Sequence, residues 1–308
     1  MLCAVIDVGS NTMRLTIYYY EKERFQPLLH KKATAGLMGY VENGRLSDAG
    51  LQKAASVLAE YRDLLTYFSI DEVHVCATDI LRNIDNSREA LAHLNAHSGF
   101  AIELLTGQEE AELDFLGATH FFDVREGLVA DIGGGSTQLV AFRDGRILSS
   151  DSLPVGSLNT FSRRVDGLFP TGGERRDITA RMTEALDGLA LRRDAKGLPI
   201  CGVGGSIRAC LRLWKALYEP KREEPVLYPR ELETMLDLTK GEEKKLVKTL
   251  SKVLPDRIHT FTPGLLLLSA IVREWNCPLV MVSEFGVREG YLIRKLQQAG
   301  RSKEEADV

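Results

Sequence analysis

Apolar runs of strand length alternate with amphipathic stretches from one end of the chain to the other. Residues 2–7 (LCAVID) and 13–20 (MRLTIYYY) read as strands parted by a glycine turn, and 25–30 as a third. A long amphipathic helix is predicted from Ser47, a suitable N-cap, to about Tyr67. Strand 72–77, a helix over about 80–97, short strand 101–105 and helix 108–121 complete a βββαβαβα order. The order then restarts with strands 127–132, 137–142 and 146–152 around a GGGS turn. Later, Pro199–Gly202 reads as a strand leading to Gly204-Gly205 and a helix with Arg208 and Arg212 on one side. Thr262-Pro263 reads as a helix start, followed by strand 278–283 and a last helix over about 286–299. The charge-rich stretch 219–247 reads as a solvated helical insertion.

The two openings superpose as strings: Val5-Ile6-Asp7-Val8-Gly9-Ser10-Asn11 lies over Val129-Ala130-Asp131-Ile132-Gly133-Gly134-Gly135. A duplicated lobe follows from this. The expected division is residues 1–123 and 124–308, with the C-terminal helix, about 286–301, a candidate to pack back on the first lobe.

Composition narrows the class. With 308 residues, 44% hydrophobic and 27% charged, the chain can bury two ordinary cores. Its net charge of −4 and dispersed basic residues give no footprint for nucleic acid or an anionic membrane. No signal segment or apolar run of spanning length is apparent, so a cytoplasmic protein is expected. Five cysteines, without CxxC spacing and mostly in apolar runs, read as reduced buried thiols.

Three strands end in glycine turns: at Gly9-Ser10-Asn11, at Gly133-Gly134-Gly135-Ser136-Thr137 and at Gly204-Gly205. Glycine lets several backbone N–H groups converge on an anion with no Cβ in the way. Asp7 and Asp131, each just before such a turn, are placed to hold a hydrated Mg²⁺ against phosphates. Ser10, Asn11, Ser136 and Thr137 are candidate hydroxyl or amide donors to phosphate. The paired Asp-[Val/Ile]-Gly turns resemble the phosphate loops of the actin, sugar-kinase and heat-shock chaperone superfamily. That resemblance implies an α/β fold of two duplicated actin-like (ribonuclease H-like) lobes with nucleotide in the cleft between them.

The strings AVIDVGSNTMRLTIY (4–18), CATDILRNIDN (76–86), LLTGQEEAEL (104–113), LVADIGGGSTQL (128–139), SLPVGS (152–157), GVGGSIRA (202–209), TPGLLLLSAI (262–271) and VSEFGVREGYL (282–292) resemble, in order, the motifs of the Ppx/GppA family of exopolyphosphatases and guanosine pentaphosphate phosphohydrolases. By that resemblance the chain is the short two-domain form, acting on inorganic polyphosphate or guanosine penta/tetraphosphate with Mg²⁺ or another divalent cation. The resemblance makes Glu110 the catalytic carboxylate and Arg82 a phosphate clamp. Phosphoryl transfer asks a protein mainly to position a water and to neutralise charge, which these residue types suit. A homodimer is a candidate assembly.

The chain departs from the family where Gln138 follows GGGST in place of the usual glutamate, where Glu112 stands for an arginine and where Asn159 does the same. An amide at 138 keeps an acceptor oxygen but loses the charge that draws Mg²⁺ or polarises water. A weakly active or non-catalytic sensor of phosphate chains is therefore the alternative. His93 and His97 have metal-ligand spacing but lack a third ligand and read as surface or packing residues; Arg163-Arg164 reads as solvated.

Overall fold

The computed structural model describes residues 1–21, 24–122, 124–241 and 243–306. The chain forms two compact units, one of Met1–Glu110 with Tyr291–Val308 and one of Ala111–Gly290. The divisions fall inside two helices. Asp123, at the boundary expected from sequence, lies outside the described residues.

The first unit opens with β1 (Leu2–Val8), β2 (Thr12–Glu21) and β3 (Arg24–Thr34), then a small ribbon of β4 (Val41–Glu42) and β5 (Arg45–Leu46). Next come α1 (Asp48–Tyr67), β6 (Val73–Ala77), α2 (Asp79–Arg82), α3 (Ser87–Ser98), β7 (Ile102–Leu104) and α4 (Gly107–Phe121), which belongs to the second unit from Ala111 on. The sheet order is β3-β2-β1-β6-β7, antiparallel among the first three strands and parallel thereafter. Ser47 caps α1 as the sequence predicts, accepting from the Gly50 N–H. Its apolar stripe, Leu51, Ala54, Val57, Leu58, Tyr61 and Leu65, follows the helical period and covers Ile6, Val8 and Leu15 of the sheet. The single helix expected over 80–97 is two, because Asn83–Asn86 leave the helical path. Asn86 instead binds both backbone groups of Leu46, at 2.9 Å each.

The second unit repeats the plan. It contains β8 (Glu126–Ile132), β9 (Thr137–Arg143), β10 (Arg146–Leu153), α5 (Ser157–Arg164), α6 (Gly172–Asp187), α7 (Arg192–Ala195), β11 (Ile200–Val203) and α8 (Gly204–Leu217). There follow β12 (Val226–Leu227), α9 (Pro229–Gly241), α10 (Glu243–Val253), α11 (Ile258–Glu274), β13 (Val280–Val282) and α12 (Val287–Ala306), which belongs to the first unit from Tyr291 on. The order β10-β9-β8-β11-β13 matches the first sheet strand for strand, with β12 added antiparallel at the edge. The registers agree too. Asp7 pairs with Arg14 and Asp131 with Gln138, and in each turn the glycine N–H reaches the carbonyl three residues on: Gly9 to Thr12 at 3.2 Å, Gly133 to Ser136 at 2.9 Å.

Two expectations are corrected. The stretch 219–247 is not merely solvated: β12 extends the sheet, and Leu232, Met235, Leu236, Leu238 and Leu246 enter the main core. Its charges had hidden a helical apolar stripe. Helix α11 starts at Ile258, not at Thr262-Pro263, so Pro263 lies inside it. An interior proline costs ~3 kcal/mol. Burial of Phe261 and Leu265–Leu268 in the core offsets that.

Candidate active site

In the first unit the functional side chains come from four consecutive places in the chain. The turn after β1 supplies Gly9, Ser10 and Asn11; its carbonyls are held from behind, Ser10 O by Met38 N at 3.1 Å and Asn11 O by Gly36 N at 2.9 Å. Turning the carbonyls into the protein leaves the amide face of the turn for an anion. Asp7 is buried on β1, and the cross-strand register puts Arg14 beside it on the same sheet face. Helix α2 follows β6 directly, which places Asp79 and Arg82 one turn apart at a strand end.

Glu110, in the first turn of α4, is 7% exposed. Arg82 Nη2 donates to its Oε2 at 3.0 Å, and Arg82 Nη1 donates to the Leu105 carbonyl at 2.8 Å. Arg82 also lies 4.0 Å from Asp79, whose Oδ2 accepts from the Ser10 hydroxyl at 3.1 Å. Ser10, Asp79, Arg82 and Glu110 thus form one connected polar chain from the glycine turn to the buried carboxylate. The preceding Glu109 serves structure instead: it caps α4 through the Thr106 N–H and hydroxyl, both at 2.8 Å, and those bonds hold its carboxyl below the usual range.

In the second unit the carbonyls of the Gly133–Gly135 turn are likewise consumed. Ser157 N takes Gly133 O at 2.9 Å, while Leu158 N and Asn159 N take Gly134 O at 2.8 and 3.0 Å. A Cβ on Gly156 would lie 2.6 Å from the backbone of Gly134, so only glycine lets α5 press this closely on the turn. Asn159, where sequence reasoning missed an arginine's charge, has a positive structural role: its Nδ2 holds Gly135 O at 2.6 Å and its Oδ1 accepts from Gly156 N at 2.8 Å. Thr137 spends its hydroxyl proton on Val155 O at 2.6 Å, and Ser10 spends its own on Asp79. Those two hydroxyls have no proton for phosphate, which narrows the predicted donors to Asn11, Ser136 and the turn amides.

The third turn lies where α8 begins. Gly204 has φ +80, and a Cβ there would meet Asp131 Oδ1 at 1.9 Å. Half-buried Arg208 and Arg257 share this neighbourhood: a Cβ on Gly205 would strike Arg257 Nη2 at 1.9 Å, and Arg208 donates to Ser283 O at 2.8 Å. Burial lowers the pKa of both guanidiniums; Arg288 lowers that of Arg208 further, while Asp131 raises both. Cations that are desolvated and repel one another gain when an anion arrives. Gln138 is 1% exposed; its Nε2 donates to Ser136 Oγ at 2.8 Å and Ser152 Oγ at 3.3 Å.

Among the described residues no group of three or more His, Cys, Asp or Glu is arranged to cage a metal. The donor set fits a different mode, in which Mg²⁺ keeps several waters and takes one carboxylate plus substrate phosphates. Asp131, with backbone that only glycine allows against its Oδ1, and Asp7 are the residues that would serve. His93 and His97 stack on each other at the surface, ring centroids 4.0 Å apart, and His97 is exposed. The cysteines are buried and form no disulfide, and burial pushes the Cys201, Cys210 and Cys277 thiols up to about 12. Among the described residues no helix is long and apolar enough to cross a membrane.

Sequence reasoning missed Asp79, Arg14 and Arg257. Asp79 had a signal, an acid three residues before the clamp arginine within one quoted motif. Arg14 could have been read from the period of β2, two strand positions past the turn. Arg257 had none, since it sits in a short 3₁₀ turn, Pro255–Arg257, with no motif around it.

Known proteins bear on this arrangement. The Haemophilus influenzae protein named "Putative exopolyphosphatase" is 25% identical over 293 residues, spanning 94% of this chain and 90% of its own. The structure of an Aquifex aeolicus Ppx/GppA family member superposes with a TM-score of 0.79 at 25% identity, covering 97% of this chain and 98% of that one. An exopolyphosphatase structure from Cytophaga hutchinsonii, at 19% identity and TM-score 0.86 over 97% and 98% of the two chains, shows the same fold. The model of the Ppx/GppA phosphatase family matches residues 16–299, and with the duplicated glycine turns and the Glu110 carboxylate in place the chain belongs to that family.

Proposed function

We propose that this chain hydrolyses the terminal phosphoanhydride of a linear phosphate chain, either inorganic polyphosphate or the 5′ end of guanosine pentaphosphate, with a divalent cation bound. The observation that carries the reading is the buried Glu110 carboxylate, gripped by Arg82 and linked through Asp79 to Ser10 of the glycine turn after β1.

In this reading the amides of Ser10, Asn11, Gly134 and Gly135, the N-terminus of α8 at Gly204-Gly205 and the hydroxyl of Ser136 bind phosphate oxygens, the Gly9 and Gly133 N–H groups being spent on closing their turns. Arg82, Arg208 and Arg257 neutralise them. Glu110 orients a water and takes its proton as the water oxygen bonds to the terminal phosphorus. The bridging P–O bond then breaks, and the shortened chain leaves with the electron pair. A Mg²⁺ held by Asp7 or Asp131, when bound, supplies charge neutralisation on the phosphates. The Arg82 bond fixes the Glu110 carboxylate in place.

Gln138 favours a second reading, a sensor that binds phosphate chains with little turnover. It is neutral, buried and already bonded to Ser136 and Ser152. Orthophosphate release measured across polyphosphate lengths, guanosine pentaphosphate and ATP, with and without Mg²⁺, separates the readings. Mg²⁺-dependent release from a phosphate chain supports the hydrolase; tight binding with no release supports the sensor. Release from ATP alone would point to an ATPase of the same superfamily and contradict both.

A further inference from the structure

Ser10 and Asp79 can be assigned donor and acceptor roles without ambiguity. A serine hydroxyl carries one proton and two lone pairs, and a carboxylate only accepts. Ser10 Oγ lies 3.1 Å from Asp79 Oδ2, so the serine proton is committed to Asp79. The other carboxylate oxygen, Oδ1, accepts from Asn83 Nδ2 at 2.6 Å. Ser10 and Asp79 are 5% and 6% exposed, respectively. With its proton directed at Asp79, the Ser10 oxygen has only lone pairs left for a ligand. Lone pairs repel a phosphate oxygen and attract a cation or the water on one.

A plainer account makes Asp79 an ordinary acid of a helix first turn, favoured by the backbone dipole. Helix α2 has four residues, too few to build a macrodipole of consequence, and Thr78 at its start makes no side-chain cap. Both oxygens of Asp79 are instead engaged by side chains, one of them 69 positions away in sequence. The same carboxylate stands 4.0 Å from Arg82 Nη2, one helical turn on, while that guanidinium reaches Glu110 at 3.0 Å.

We propose that Asp79 is a positioning residue which holds the Ser10 hydroxyl with its lone pairs toward the ligand, making Ser10 an acceptor for a hydrated divalent cation, and which keeps Arg82 aimed at Glu110. This rests on the hydrolase reading for its ligand, and its test does not depend on turnover. Outer-shell partners of a metal site typically matter by about 10–100-fold in affinity.

The full-length chain is titrated with Mn²⁺ in the presence of methylenediphosphonate, a phosphate-chain analogue with no cleavable bridge, and bound Mn²⁺ is read by electron paramagnetic resonance. Ser10→Ala and Asp79→Ala are each expected to weaken Mn²⁺ about tenfold. The double variant should be no weaker than either single one, because both break the same bond. Asp79→Asn keeps an acceptor for Ser10, so its Mn²⁺ affinity should return to the parent value while kcat stays low from the lost charge beside Arg82. Unchanged Mn²⁺ affinity in folded Ser10→Ala, or losses that add in the double variant, overturns the proposal. If Asp79→Ala does not fold, Ser10→Ala and Asp79→Asn decide between the same outcomes. Parent protein that binds Mn²⁺ in this pattern but releases no phosphate would sink the hydrolase reading and leave the assignment standing.

Discussion

The two units present the same strand order and the same aspartate-glycine turn, yet differ in what faces the aspartate. In the first, Asp7 stands across from Arg14, and within the unit Arg82 grips Glu110. In the second, Asp131 stands across from neutral Gln138 and near Arg208 and Arg257, and the buried acid beside those arginines is Glu289, 4.0 Å from Arg288. Duplication therefore preserved the glycine turn, which depends on backbone, and let the side chains diverge. On the proposed function, the difference gives the chemistry to the first unit and grip on phosphate to the second.

That division can be broken or sharpened by substitution. Short of Glu110 itself, the largest effect is expected at Arg82. Arg82→Ala should lower kcat/KM about 100-fold in a phosphate-release assay, because it removes a charged donor and leaves Glu110 buried without its partner. Arg82→Lys should recover only part, since it cannot hold Leu105 O and Glu110 together. Parent-level activity in both variants would remove chemistry from the first unit.

In the second unit Gly204→Ala drives a Cβ into Asp131 Oδ1 at a φ of +80. It should raise KM about tenfold and cost about 1–3 kcal/mol in denaturant unfolding, with kcat changing less. A fall in kcat alone would reverse the assignment. Gln138→Glu restores a charge on the sheet face of Asp131, and should raise kcat about threefold while lowering the Mg²⁺ needed for half-maximal rate. A neutral result would show that the amide is no handicap.

Glu103→Gln is expected to leave activity alone and alter stability. Burial would raise the Glu103 pKa, but hydrogen bonds from Lys295 at 2.6 Å and Tyr291 at 2.6 Å, with Arg294 at 2.9 Å, hold it below the usual range. A depressed folded pKa means that the stabilisation is present above the ordinary carboxylate value and is lost as pH falls through the folded one. The variant should melt a few degrees lower at about pH 7, and the gap should close below about pH 4. A gap that persists in acid would show that packing, not the ion cluster, fastens Tyr291–Val308 to its unit.

Much of this plan is readable in residue order, and the limits of that reading are physical. The glycine turns, the strand periods, the Ser47 cap and the motif arginine are local signals, each written within about four residues of chain. The edge strand Val226–Leu227 and the core face of 229–253 were hidden because their apolar positions sit among surplus charge. Pro263 misled for the opposite reason: a strong local rule gave way to burial along the whole of α11. The bond from Ser10 to Asp79 spans 69 positions, and the clustering of Arg208 with Arg257 spans 49, so neither leaves a local mark. Only folding makes such pairs neighbours.

The most direct measurement takes Glu110→Gln, binds inorganic polyphosphate to it in the presence of Mg²⁺ by calorimetry, and follows orthophosphate release from the same mixture. The account predicts parent-like affinity with release at least about 100-fold slower, since the amide keeps the shape and cannot take the water's proton. Release at the parent rate from that variant would contradict it.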